Sequence, residues 1–154
     1  MFPRMEPQAQ LVMLEAARVA DEVGANAIGT EHLLLAVVEE CVDAERWGID
    51  AELLREAVER RSDAVLLRQL GISLDEIRET VAENLGADAW GRCRPLDPRT
   101  KRALELASRA AGRLPNRKIG WQHLLVGLIR ERGVAYRLLV EQGVAVDAIA
   151  ADAA

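Results

Sequence analysis

A chain of 154 residues is one ordinary domain, long enough to bury a core without metal or disulfide support. Half of its residues are apolar but only 3% are aromatic, a balance that argues against a sandwich or barrel and for helices packed through Ala, Leu and Val. The net charge of −5 is unevenly spread: residues 1–86 carry 18 acids and 8 bases, residues 87–154 carry 7 and 12, and the basic excess sits between Arg92 and Lys118. Two readings of that basic stretch stand side by side, a solvated helix face and linker that offset the acidic half, and a surface for an anionic partner.

In chain order, Leu11, Leu14, Val19 and Val23, with alanines between them, predict an opening helix from about Pro7 to Val23. Gly24 to Gly29 breaks it. Thr30 is placed to cap the next helix with its hydroxyl, Glu31 falls in a first turn where the helix dipole favours an acid, and Leu33 to Val38 form a buried body. That apolar run is far short of the roughly 20 residues that span a bilayer. Ser73-Leu74-Asp75-Glu76 reads as a capping box that opens a helix from about Leu74 to Leu85, closed at Gly86.

The second half starts with Asp97-Pro98, a cap followed by the residue best tolerated at the first helical position, and predicts a helix to about Arg113. Helices from Trp121 to Arg132 and from Val134 to Gln142 follow, with Gly143 as C-terminal stop and a short closing helix near Asp147.

The chain repeats itself. Ile28-Gly29-Thr30-Glu31-His32-Leu33-Leu34 returns 91 residues later as Ile119-Gly120-Trp121-Gln122-His123-Leu124-Leu125, and at that offset Ala16 falls on Ala107 and Arg18 on Arg109. Gly71-Ile72 and Gly143-Val144, however, are only 72 apart, so the first half holds about 19 extra residues. Within them Gly48 to Val58 resembles Gly71 to Val81 at five of eleven positions, which a local duplication or chance likeness between acidic amphipathic helices explains equally well.

Asn26-Ala27-Ile28-Gly29-Thr30-Glu31-His32-Leu33-Leu34-Leu35, with its second copy, resembles the signature of the Clp N-terminal (Clp repeat) domain family, the N-domain of ClpC/ClpA-type AAA+ unfoldases. Pro98 to Ala107 is similar to that family's second opening helix, and Val65 to Val81 to its later segment. The resemblance implies an all-α fold of two pseudo-twofold related four-helix repeats forming one bundle. Repeat one would run over about 5–86 with an extra helical insert at about 41–62, a linker over about 87–95, and repeat two over about 96–154.

It also implies a non-catalytic protein-binding module of the Clp protease and chaperone system. The expected partners are substrates, adaptors or unfoldase subunits, with phosphoarginine or a small-molecule N-domain ligand as the chemical target. The same resemblance marks Thr30 and Glu31, and at the second copy Trp121 and Gln122, as candidate partner-binding residues, Glu31 matching an acid that takes a guanidinium group. Trp121-Gln122 removes the hydroxyl and the charge from the second copy. Met5-Glu6 and Leu96-Asp97 stand where the family usually has Phe-Thr, so hydroxyls that could hold a phosphate are missing and Glu6 would repel one. Phe2 and Trp90 are candidate partner anchors.

His32 and His123 lack a second ligand at i+4, and read as packing or capping residues rather than metal ligands. The sequence contains no phosphate-binding loop of the G-x-x-x-x-G-K-[ST] type, no G-x-S-x-G and no H-E-x-x-H, so no enzymatic activity and no cofactor are expected, and a chain without the motor would act as a decoy or regulator. Cys41 and Cys93 have no C-x-x-C spacing and no secretory leader ahead of them, which suits a reducing bacterial cytoplasm. Two further readings remain: a helical nucleic-acid-associated regulator using residues 92–118, and an enzyme using Cys93, whose flanking Arg92 and Arg94 would favour a thiolate.

Overall fold

The computed structural model describes residues 5–41, 44–61, 70–71, 95–113, 115 and 118–153. Among these, helices α1 (Pro7–Glu22) and α2 (Thr30–Cys41), a 3-10 turn (Ala44–Trp47) and α3 (Ala51–Arg60) make up the first half. Helices α4 (Pro98–Ala111), α5 (Trp121–Glu131), α6 (Val134–Glu141) and α7 (Val146–Ala153) make up the second, and no strand occurs among the described residues. The fold is all-α, as composition and repeat anticipated. The Leu74-to-Leu85 helix with its Ser73 capping box, the Val65-to-Val81 resemblance apart from Leu70 and Gly71, Phe2, Trp90 and Cys93 lie outside the described residues.

The helix starts follow local chemistry. Asp97 Oδ1 accepts the Thr100 N–H at 2.7 Å with Pro98 at the head of α4, and Asp50 Oδ1 accepts the Leu53 N–H at 3.1 Å at the head of α3. At the end of α6, Gly143 takes φ +75°, a left-handed conformation glycine adopts without Cβ strain, and the Val144 N–H returns to the Leu139 carbonyl at 3.1 Å.

The centre is built on α2 and α5. Leu33 through Val38 are all buried, as are His123 through Ile129, and a helix apolar all round belongs inside rather than on the surface. Each fully buried leucine in this pair contributes about 1.5–3 kcal/mol. Helix α1 packs on α2, and α4 on α5. In α1 the buried stripe is Ala9, Val12, Ala16, Val19 and Ala20, while Leu11 and Leu14 are 56% and 68% exposed. Of the expected stripe, Val19 and Val23 are buried, but Leu11 and Leu14 lie off the face on which Val12, Ala16, Val19 and Val23 recur at helical spacing, and the small alanines are what lets α2 approach.

Helix α3 docks through Leu54 and Val58. Its Arg55 holds Glu39 of α2 with two bonds of 2.8 Å, and its guanidinium also lies 3.6 Å from Glu22 of α1. At its head, the Asp50 N–H donates to Gln142 Oε1 at 2.9 Å and Gln142 Nε2 donates back to the Asp50 carbonyl at 3.2 Å. The extra segment of the first half is thus tied to α1, α2 and the end of α6.

Candidate functional site at the repeated turns

The repeated motif forms the turn ahead of α2 and the turn ahead of α5, and both close in the same way. The Leu33 N–H bonds the Gly29 carbonyl at 3.2 Å and the Leu124 N–H bonds the Gly120 carbonyl at 3.3 Å, so glycine takes the cap position in each. The Gly29 N–H donates to His32 Nδ1 at 2.8 Å and the Gly120 N–H to His123 Nδ1 at 2.9 Å. Both histidines therefore serve as side-chain caps of their own turns, accepting on Nδ1 while buried. Thr30 is correspondingly not the hydroxyl cap that the motif suggested: it is the first residue of α2, and it is buried.

Each turn is completed by the other half of the chain. Ile28 forms a parallel bridge with Leu96, its N–H donating to the Pro95 carbonyl at 2.9 Å and its carbonyl accepting the Asp97 N–H at 3.0 Å. Met5 bridges Ile119 in the same sense, and the Glu6 N–H donates to the Ile119 carbonyl at 2.9 Å. Glu6 and Asp97 are 91 residues apart, the offset of the repeat. Thr100 adds a buried bond of 2.9 Å from its hydroxyl to the Ile28 carbonyl.

These crossings set the charge at each turn. Beside α2 lies a cleft of about 210 Å3 lined by Asn26, Gly29, Glu31, His32 and neighbouring alanines, by Val58 and Arg61 from α3, and by Asp97 from the second half. Glu31 curls back over Gly29, close enough that a Cβ there would sit 2.5 Å from Glu31 Oε2, and Glu31 Oε1 lies 3.8 Å from His32 Nε2. The cleft so brings together two carboxylates from opposite halves and one guanidinium.

At the turn before α5 the arrangement differs. Gln122 Oε1 and Glu6 Oε2 would stand 2.6 Å and 2.8 Å from a Cβ on Gly120, so Glu6, the counterpart of Asp97, brings its carboxylate beside a neutral amide rather than a second acid. Burial holds the His123 imidazole below its ordinary pKa, and the nearby Glu6 carboxylate works against that shift. Trp121 is half-buried with its ring centroid 6.3 Å from that of Trp47, tilted at 51°, and the Trp47 indole N–H is buried without a hydrogen-bond partner among the described residues. Arg46 lies over the Trp47 ring at 5.9 Å. The extra segment thus meets both turns, Trp47 at the second and Val58 and Arg61 at the first.

Of the candidate residues marked in the sequence, Glu31 lines the cleft at the first turn, Thr30 is buried and not part of its lining, and Trp121 and Gln122 stand at the second turn. Arg61 was not singled out, and Glu6 and Asp97 were marked only as residues standing where the family usually has Phe-Thr, not as members of a site. The 91-residue offset pairs Glu6 with Asp97, but only the crossed pairing of the two lead segments shows that each faces the other half's turn.

Two matching helical halves that exchange their lead segments, with a polar cleft at the first of the exchanged turns, define a helical repeat domain. The particular family follows from comparison: residues 49–142 match the Clp repeat (R) N-terminal domain, and the chain belongs to that family. It is 34% identical over 146 residues to the chloroplastic chaperone protein ClpC of Pisum sativum, covering 93% of this chain and 14% of that one. It is likewise 34% identical over 149 residues to the ClpC/MecB negative regulator of genetic competence of Bacillus subtilis, covering 96% and 16%. The chain spans about a sixth of the length of such relatives. The N-terminal domain of the Clp-associated chaperone ClpD from Arabidopsis thaliana shares the fold at TM-score 0.71 and 23% identity, covering 97% of this chain and 94% of that one. The relation connects the chain to the Clp chaperone and protease system. No helix among the described residues is long and apolar enough to cross a membrane.

Proposed function

We propose that the chain is a non-catalytic binding module of the Clp system that engages protein partners, substrates, adaptors or unfoldase subunits, through the cleft at the first turn, and acts there as receptor, decoy or regulator. The observation that carries this reading is the meeting of Glu31 and Asp97, from opposite halves, in one open cleft. Two carboxylates in a partly desolvated site suit a planar cation, because a guanidinium can pair with carboxylate oxygens through two parallel N–H bonds. The ligand is then an arginine-derived group on a protein partner, with a phosphoarginine-type tag as the specific form.

Calorimetric titration with phosphoarginine and with an arginine ester is the direct measurement. Glu31→Gln is expected to weaken binding of both ligands about tenfold or more, the loss of one hydrogen bond to a charged group, and Asp97→Asn to weaken it while keeping the cap of α4. If the parent binds neither ligand, or if both variants bind as the parent does, the cleft is not the receptor site. In the basic stretch Arg99 bonds Glu131 at 3.0 Å and Arg102 bonds Glu105 at 3.3 Å, so part of the charge offered to an anionic partner is already engaged within the protein.

A further inference from the structure

The cleft at the first turn contains a cation that its own carboxylates do not consume. Arg61 ends α3, its backbone N–H bonded to the Ala57 carbonyl at 3.3 Å and the Val58 carbonyl at 3.2 Å, and its side chain is exposed and makes no ion pair among the described residues. The segment behind it is firmly seated. Leu54 and Val58 are in the core, Arg55 forks onto Glu39, and Asp50 exchanges two hydrogen bonds with Gln142. Arg61 is therefore delivered to the rim by a docked helix rather than by a loose loop, and less ordering is lost when it meets a ligand.

The signs of the three charges matter. Glu31 and Asp97 together attract a cation but repel any anion attached to it. The lead segment supplies no hydroxyl there, since the residue it contributes to the lining is Asp97. A ligand whose guanidinium adjoins an oxyanion needs a positive group beside the carboxylate pair, and Arg61 is the one cation among the residues lining the cleft. The space suffices. A volume of about 210 Å3 equals about seven waters at liquid density, comparable in heavy-atom count to a phosphorylated guanidinium.

We propose that Arg61, supplied by the extra segment of the first half, is a specificity-determining residue of this cleft: it receives the anionic part of a ligand whose guanidinium is held by Glu31 and Asp97. The proposal rests on the reading of the cleft given above and adds to it the group that selects the modified over the unmodified form. A guanidinium in this role can take two oxyanion oxygens at once, whereas an ammonium offers only a point charge.

The test is a comparison of the parent, Arg61→Gln, Arg61→Lys and Glu31→Gln, each titrated with phosphoarginine and with arginine methyl ester, with circular dichroism to establish that each variant is folded. The parent is expected to prefer phosphoarginine. Arg61→Gln should lose about tenfold for phosphoarginine and change little for the ester, so that the preference shrinks or disappears, while Arg61→Lys keeps part of it. Glu31→Gln should weaken both ligands together. A folded Arg61→Gln variant that keeps the parent's full preference overturns the role of Arg61 and leaves the cleft reading standing. A parent that binds the ester but not phosphoarginine does the same, and a parent that binds neither removes both.

Discussion

The turns before α2 and α5 are built on one plan and equipped for different ends. Both are capped by a histidine Nδ1 on a glycine N–H, and both are closed by the lead segment of the opposite half. Around that shared frame the first turn is open and lined by Glu31, Asp97 and Arg61, whereas the second has Gln122 and Glu6 at its glycine and an indole pair beside it. A backbone frame survives divergence because its bonds involve main-chain groups and one histidine, while the side chains that give a turn its chemistry can change without disturbing it.

The packing behind the turns differs too, and this difference supports the largest expected effect. In the second half, a Cβ on Gly127 would collide with the Ala103 carbonyl oxygen and lie 3.0 Å from the Ala107 nitrogen, so α5 can approach α4 this closely only through glycine. Its counterpart in the first half is Ala36, which is fully buried and already carries a Cβ. Gly127→Ala is therefore expected to cost about 3 kcal/mol by forcing two helices apart, against about 1 kcal/mol for Ala36→Gly, where backbone freedom in the unfolded chain dominates. Thermal unfolding of the two variants checks this, and equal losses would mean that the two helix pairs are packed alike.

A second measurement concerns the extra segment. Trp47→Ala removes the ring beside Trp121 and part of the apolar contact around it, with an expected loss of about 2 kcal/mol, less than a fully buried tryptophan costs because Trp47 is only half-buried. The emission of Trp121 should shift to longer wavelength as water reaches it. An unchanged Trp121 signal in that variant would show that the indole contact does not shield the second turn in solution.

The smallest effect is a pH dependence at the second turn. Because burial lowers the His123 pKa in the folded protein, the unfolded chain takes up this proton first as the pH falls below the ordinary histidine value. The stability linked to His123 is thus fully present above about pH 6.5 and is lost as the pH falls through the folded-state value. Protonating Nδ1 would also remove the acceptor for the Gly120 N–H. Melting temperatures of the parent and His123→Gln between pH 7.5 and 5 should show the steeper decline in the parent; parallel curves would exclude a folded-state shift at His123.

Much of the frame could be read from residue order. Asp97-Pro98 announced the start of α4 and Gly143 the end of α6, because caps and stops depend on residues adjacent in sequence. The repeated Ile-Gly-x-x-His-Leu-Leu likewise announced two equivalent turns, and the capping reading of the histidines held. In α1, Val19 and Val23 were read correctly as buried but Leu11 and Leu14 were not, since their size outweighed the small Ala9, Ala16 and Ala20 that line the contact. Glu31 was legible as a site residue through its motif and Asp97 only as a departure from the family's Phe-Thr, whereas nothing marked Arg61, although all three line one cleft.

What residue order determined by itself was therefore local and periodic: an all-α chain, the caps, the turns and their repetition 91 residues on. Tertiary structure alone decided which charges meet. The Glu31, Asp97 and Arg61 groups come from α2, the second half's lead segment and the end of the extra helix, and the Trp47 and Trp121 rings from opposite halves. Such meetings depend on the crossed pairing of Ile28 with Leu96 and of Met5 with Ile119, a long-range register that no helical period encodes.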